Sequence, residues 1–352
     1  MKSKPNILAI NTGSTSTKIA LYNEAENIFT KTMSHSVSEL SPLKSFKDQV
    51  DFRKEKIKEV LKENHINIEN IDLFMCRGGL IRPVESGVYR VNEKMLKDLE
   101  NASRQHASNL AAVVGYELSP QKNNVYIADP VVVDEMQEVA RYAGHKDFER
   151  ISIFHALNQK AVARKYAEKT GKKYEDLNLI IAHMGGGVSI GAHKKGKVID
   201  VNQALDGEGP FSPERSGTLP AGDLLKKAFS GKYNLQQMKK MLVGEGGVVS
   251  YLGTNNIKEI ENNLTPAKQK ILEAMAYQIA KYIGEMAVVL EGNIDAVILT
   301  GGVAFSKLIT GYIKNMVNFL APVIIYPGED EMEALAYNGV LLWQKKLKAK
   351  EY

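Results

Sequence analysis

Two halves of this chain repeat one pattern: an apolar strand, a tight polar turn and a second apolar strand. Ile7-Leu8-Ala9-Ile10 leads into Asn11-Thr12-Gly13-Ser14-Thr15-Ser16-Thr17-Lys18, and Ile19-Ala20-Leu21-Tyr22 leaves it. Later, Leu179-Ile180-Ile181-Ala182 leads into His183-Met184-Gly185-Gly186-Gly187-Val188-Ser189, and Ile190-Gly191-Ala192 leaves it. A third short run follows each pair, Ile28-Phe29-Thr30 and Lys197-Val198-Ile199-Asp200. Short apolar runs bounded by turn residues read as strands. Two copies point to a duplicated domain rather than a solenoid, which needs more repeats to cover its core.

The remaining pattern supplies helices between strands. A polar helix is expected around 47–64, a strand at 72–76, helices around 92–101 and 107–118, and a strand at 125–128. In the second half, helices are expected at 155–169, 221–229 and 235–242. The best-defined helix runs from Pro266 to Glu291, with Thr265 as cap, Pro266 in its first turn and Gly292 after its end. Its apolar stripe of Ile271, Met275, Ile279, Ile283, Met286 and Leu290 is most simply a core face. Strand 296–299, helix 304–320, strand 322–326 and a last helix at 331–348 complete the chain. Strands alternating with helices give an α/β fold.

A length of 352 residues allows two domains, each with its own core. The net charge of +5 suits anionic substrates, yet no dense basic run points to nucleic acid. Cys76 is the only cysteine, so no intrachain disulfide can form and a reducing, cytoplasmic setting is expected. The first residues run into a strand without an apolar leader. The most apolar stretch, Met286 to Gly302, is broken by Glu291, Asn293 and Asp295, so no membrane span is expected.

Three glycine-rich turns follow apolar strands: the Asn11–Lys18 turn, Gly185-Gly186-Gly187, and Thr300-Gly301-Gly302-Val303. Backbone N–H groups at such turns can reach phosphate. The first is not a Walker loop, because it lacks the spaced glycines and the following helix. Its hydroxyls, Asn11 and Lys18 are phosphate donors and indirect ligands for Mg²⁺. The plainer reading of each turn is a polar hairpin or close helix packing.

Several single residues invite two readings. Arg77 precedes Gly78-Gly79 at a strand end, and Arg215 ends a glycine- and proline-rich loop from Asp206. Arginine forks carboxylate and phosphoryl oxygens, although a lone arginine is usually a surface ion pair. Asp129 follows a strand and precedes Pro130, which fits a helix cap or a carboxylate at a ligand-binding sheet edge. His106 and His155 stand before helices, and His183 ends a strand; histidines so placed are more often structural. No HExxH or paired Cys/His spacing indicates zinc, and no G-x-S-x-G elbow indicates a serine hydrolase.

Taken in order, these pieces resemble the butyrate kinases of the acetate kinase family, within the acetate and sugar kinase, chaperone ATPase and actin superfamily. The likeness runs from Ile7 to about Gly339 and is most specific in the Asn11–Lys18 turn, Arg77-Gly78-Gly79, His183–Ser189 and Asp206–Gly217. It implies two duplicated ribonuclease H-like (actin-like ATPase) α/β domains with mixed sheets and a nucleotide cleft between them. The division would be 1–135 with 335–352, and 136–334.

The resemblance also implies roles. Arg77 and Arg215 match substrate- and phosphoryl-binding arginines, Asp129 an active-site aspartate, and His155 a histidine that stabilises the phosphoryl in flight. Asn11 and Glu333 would stand on the Mg²⁺ side, with Glu331 as a competing alignment. Thr12, Gly13, Ser14, Ser16, Lys18, His183, Gly185, Gly186, Gly187, Gly301 and Gly302 would line ATP or ADP. Gly79 and Phe154 would shape the acid pocket. Acetate kinases carry valine at the place of Gly79, which implies room for a longer acyl tail here. They also carry asparagine at the place of Gly186 and are longer chains.

The implied reaction is reversible ATP-dependent phosphorylation of a short-chain acid, butanoate before acetate, propionate or branched acids. The implied assembly is a homodimer or larger, with the Pro266–Glu291 region as one possible interface. The competing class is an actin- or chaperone-like nucleotide switch, which would need the turns but not both arginines and His155.

Overall fold

The computed structural model describes residues 4–102 and 106–352. Contacts divide the chain into two units, Met1–Val133 with Asp330–Tyr352, and Asp134–Glu329.

The first unit holds β1 (Asn6–Thr12), β2 (Ser16–Asn23), β3 (Glu26–Ser34), β4 (Leu73–Arg77), β5 (Val88–Arg90) and β6 (Val125–Ala128). They form one sheet in the order β3-β2-β1-β4-β6-β5. The pairs β1/β2 and β2/β3 are antiparallel, while β1/β4 and β4/β6 are parallel.

The second unit holds β7 (Asn178–Met184), β8 (Val188–Lys194), β9 (Lys197–Val201), β10 (Ala296–Gly301) and β11 (Val323–Pro327). Their order is β11-β10-β7-β8-β9. Again the first two pairings, β7/β8 and β8/β9, are antiparallel, and β7/β10 and β10/β11 are parallel. Read from the β9 edge, this is the topology of the first unit without its sixth strand, β5, which adds antiparallel to β6. Even the register shifts correspond, at Leu21/Tyr22 in β2 and Ala192/His193 in β8.

Alternation along each central strand explains how helices cover both faces. Ile180 and Ala182 of β7 pack with Leu272, Met275, Ile279 and Ile283 of the Pro266–Val289 helix. Leu179 and Ile181 point the other way, onto Val162 and Ala163 of the Ala156–Thr170 helix. Each buried Val, Leu, Ile or Met side chain among these contributes about 1.5–3 kcal/mol. In the first unit Leu8 and Ile10 meet the Phe46–Glu63 and Asn109–Leu118 helices through Ile57, Leu61, Ala111 and Val114. The stripe of the long helix is therefore consumed by the core.

Some expected elements differ. The long helix ends at Val289, because Glu291 and Gly292 both take positive φ. The expected 304–320 helix is a 3-10 turn, Gly302–Phe305, then a helix from Lys307 to Val317. Ser306 separates them, since its hydroxyl accepts from the Ile309 N–H and caps the second segment. The last helix stops at Trp343, and Lys350 then pairs with β5 through the Val88 carbonyl and the Arg90 N–H. The β5 strand and the helices Val248–Leu252 and Ile257–Asn262 are too short for periodicity to reveal.

Candidate functional site

Three parallel strands of the first unit carry polar residues to one sheet edge. Ile10 of β1 pairs with Cys76 of β4, and Arg77 pairs with Ala128 of β6. Asn11, Arg77 and Asp129 therefore stand in a row at the carboxyl ends of adjacent strands, where α/β sheets bind ligands. Arg77 Nη1 donates to Asn11 Oδ1 at 3.3 Å and to a Glu331 carboxylate oxygen at 3.2 Å. The Asn11 amide also donates to Glu331.

Asp129 caps no helix, because no helix follows Pro130. It is 1% exposed, its φ is +38°, and its Oδ1 accepts from the Gly87 N–H at 2.8 Å. Its own N–H donates to the Gly87 carbonyl at 2.9 Å. A positive φ on aspartate is uncommon, and this two-bond clamp holds it.

The Asn11–Lys18 turn spends some of its donors internally. The Thr12 hydroxyl donates to the Ala107 carbonyl at 2.6 Å, and Thr12 is 1% exposed. The Gly13 N–H donates to the Ser16 carbonyl at 2.8 Å. Thr12 and the Gly13 N–H are thus turn-building groups rather than the phosphate donors expected of them. Ser14 is exposed, and Ser16 and Lys18 are half-buried.

The acids beside Asn11 also sort themselves. Asp330 caps the Glu331–Trp343 helix by accepting from the Glu333 N–H at 3.1 Å. Positions two apart on a helix point in nearly opposite directions. Glu331 therefore turns to Asn11 and Arg77, while Glu333 is exposed. Of the two alignments, the geometry favours Glu331.

Gly79 corrects another expectation. A Cβ there would lie 2.7 Å from the Asn109 Cα and 2.8 Å from the Leu99 side chain. Its missing side chain makes room for the Asn109–Leu118 helix, not for an acyl tail.

In the second unit the glycine turn sits among charged and polar side chains. The Gly185 N–H donates to the Gly187 carbonyl at 2.9 Å and closes the turn. A Cβ at Gly186 would meet Glu214 at 2.7 Å, and one at Gly187 would meet Arg215 Nη1 at 2.1 Å. The glycines let the loop carrying Glu214 and Arg215 lie directly on the turn backbone. Arg215 is further held through its Nη1 to the Ala204 carbonyl, and through its N–H to Ser212 Oγ at 3.0 Å.

His155 caps the Ala156–Thr170 helix without a side-chain cap bond. Its ring stacks on His183 with centroids 3.8 Å apart and planes 13° off parallel. His183 Nδ1 shares a hydrogen bond with Asn158 Oδ1 at 2.8 Å, and its Nε2 lies 3.0 Å from Glu329. His155 Nδ1 lies 2.9 Å from Ser189 Oγ. Phe154 is 2% exposed. Gly301, at φ +89°, bridges to Gly328, and a Cβ at Gly302 would meet nothing within 4 Å.

The sequence does not single out Gln159, Glu214 or Glu329, and it offers Ser189 only as the end of the duplicated turn. The available signal for Ser189 is that turn, which places it opposite His183 across the β7/β8 pair.

A family model described as the acetokinase family matches residues 90–320. Butyrate kinase 2 of Clostridium acetobutylicum is 51% identical over 354 residues, which is 99% of this chain and 99% of that one. The chain belongs to the acetokinase family. The family's fold is visible in solved structures too. Acetate kinase of Porphyromonas gingivalis matches with a TM-score of 0.81 at 20% identity, over 96% of this chain and 100% of that one. A propionate kinase of Francisella tularensis matches at 0.75 and 19%, over 95% and 98%. These two likenesses establish the duplicated α/β architecture of the family, with a mixed sheet in each unit.

Proposed function

We propose that this member of the family transfers the terminal phosphoryl group of ATP to the carboxylate of a short-chain acid, with butyrate preferred. A carboxylate oxygen attacks the γ-phosphorus, the bond to the β-phosphate oxygen breaks, and acyl phosphate and ADP leave. The carboxylate is the nucleophile, so no strong base is needed, and catalysis is positioning plus charge stabilisation.

The row of Asn11, Arg77 and Asp129 at the carboxyl edge carries this reading. Arg77 uses Nη1 for Asn11 and Glu331, so its Nη2 and Nε remain for a substrate carboxylate. In the second unit Arg215 and His155 offset charge on the phosphoryl oxygens. His183, Gly185–Gly187, Gly301 and Gly302 form the nucleotide side. The open space at Gly302 supports close approach of a ligand there.

Asn11 Oδ1 and the Glu331 carboxylate are hard oxygen donors of the kind Mg²⁺ takes, with water and phosphate oxygens completing its shell. When bound, Mg²⁺ supplies positive charge to the phosphate oxygens. Asp129 holds its carboxylate on the same edge.

The preference for butyrate is supported by the 51% identical relative, a butyrate kinase, and not by Gly79. A homo-oligomer and a cytoplasmic setting belong to the same proposal; a single buried, unpaired cysteine fits the latter. The test is ATP consumption with hydroxylamine trapping of acyl phosphate across acetate, propionate, butyrate, valerate and branched acids. Turnover without any acid, and none added by acid, would favour a nucleotide switch instead.

A further inference from the structure

Behind His155 lies a run of buried side chains whose hydrogen bonds can point only one way. Ser189 of β8 and Gln159 and His193 around it are all 0% exposed, and none has a part in the reaction above. The directions follow from groups that have a single role. The Ser189 backbone oxygen only accepts, so the Gln159 atom 3.1 Å from it is the amide nitrogen. That nitrogen also donates to Ser189 Oγ at 2.9 Å. The amide oxygen, which only accepts, then faces His193 Nε2 at 2.9 Å, so His193 carries its proton there. Burial holds His193 neutral, its pKa pushed well below 6.5, and its bare Nδ1 faces the Tyr174 hydroxyl at 2.6 Å. Gly191 makes this possible, since a Cβ there would lie 2.7 Å from Gln159 Oε1.

Ser189 Oγ is the pivot. It receives the Gln159 amide and, at 3.4 Å, the His155 backbone N–H. Both lone pairs are then engaged, and its own O–H is directed to His155 Nδ1 at 2.9 Å.

We infer that Gln159 and Ser189 are positioning residues that hold His155 with a bare Nδ1 and its proton on Nε2. This rests on the phosphoryl-transfer reading, in which Nε2–H donates to a phosphoryl oxygen. The opposite tautomer would present a lone pair to that negative oxygen and repel it. The stack on His183 fixes the ring plane, and Ser189 fixes which nitrogen carries the proton.

The test is nitrogen NMR of the full-length protein labelled with ¹⁵N-histidine, with His155→Asn used only to assign the His155 signals. At pH 8 the wild type should show Nδ1 as an unprotonated and Nε2 as a protonated ring nitrogen. Ser189→Ala should move the two signals towards each other, as in a tautomer mixture, and lower kcat severalfold at unchanged KM for ATP. Ser189→Thr, which keeps the hydroxyl, should restore the wild-type pattern. A protonated Nδ1 in the wild type, or unmoved signals in Ser189→Ala, overturns the inference. If Ser189→Ala does not fold, the wild-type spectrum decides alone. A wild type with the expected signals but no acid kinase activity would sink the functional reading and leave the tautomer assignment standing.

Discussion

The Asn11 side-chain amide donates to the Glu331 carboxylate across 320 positions of sequence. The last helix thus returns to the first strand and delivers an acid to the sheet edge that also holds Arg77. Glu331→Gln should raise the Mg²⁺ concentration needed for half-maximal rate by about 10- to 100-fold, the range typical of weakened metal-site support. Glu333→Gln, at an exposed position, should change it little. A Mg²⁺ titration of both variants checks this; the reverse pattern would return the role to Glu333.

Arg215→Ala should lower kcat by about 10² to 10³ while leaving ATP binding nearly intact, as expected for a contact made mainly in the transition state. Gly187→Ala offers a second route to the same defect. Its Cβ would sit 2.1 Å from Arg215 Nη1, so the guanidinium must move. Steady-state kinetics with a melting control test both. Normal turnover in Arg215→Ala would remove that residue from the mechanism.

Gly79→Val should damage the fold rather than change acid preference. The new side chain meets the backbone of Asn109, which cannot step aside as a side-chain tip can. Overpacking of this kind costs about 1–3 kcal/mol. Thermal melting should show a clear loss of stability, whereas a stable variant with a shifted preference for acetate would restore Gly79 to the pocket.

His193 makes the second unit sensitive to acid. Its folded pKa lies well below 6.5, chiefly through burial and secondly through Lys160. Above the unfolded value neither state is charged, and this group has no effect. As pH falls below about 6.5, the unfolded chain gains a proton that the folded protein refuses. Stability then declines with a slope of up to about 1.4 kcal/mol per pH unit until the folded value is reached. His193→Gln should flatten the loss of Tm between pH 7 and 5; an unchanged slope would show that other groups set it.

The duplication was readable because strand alternation and turn residues are local signals. Asn11, Arg77, Asp129, His155 and Arg215 stand out as candidates in the sequence, since each is at a strand end, a helix start or a glycine-rich loop. What the residues around them do was not readable. The choice between Glu331 and Glu333 depends on the rotation of one helix about its axis. The use of Gly79 depends on where the Asn109 helix packs, and the Gln159–Ser189–His155 chain joins positions on two different elements. Asp-Pro is a common helix start, so in sequence Asp129 fits a cap as well as a sheet-edge carboxylate, and the Gly87 N–H that its side chain binds instead lies 42 positions away.

The central claim is that a short-chain carboxylate is the phosphoryl acceptor. The most direct measurement is kcat/KM for ATP-dependent acyl phosphate formation across straight acids from acetate to valerate. The account expects acid-dependent turnover with a maximum at butyrate and some activity on its neighbours, because apolar pockets separate single methylenes only modestly. ATP turnover that no carboxylate accelerates would contradict it.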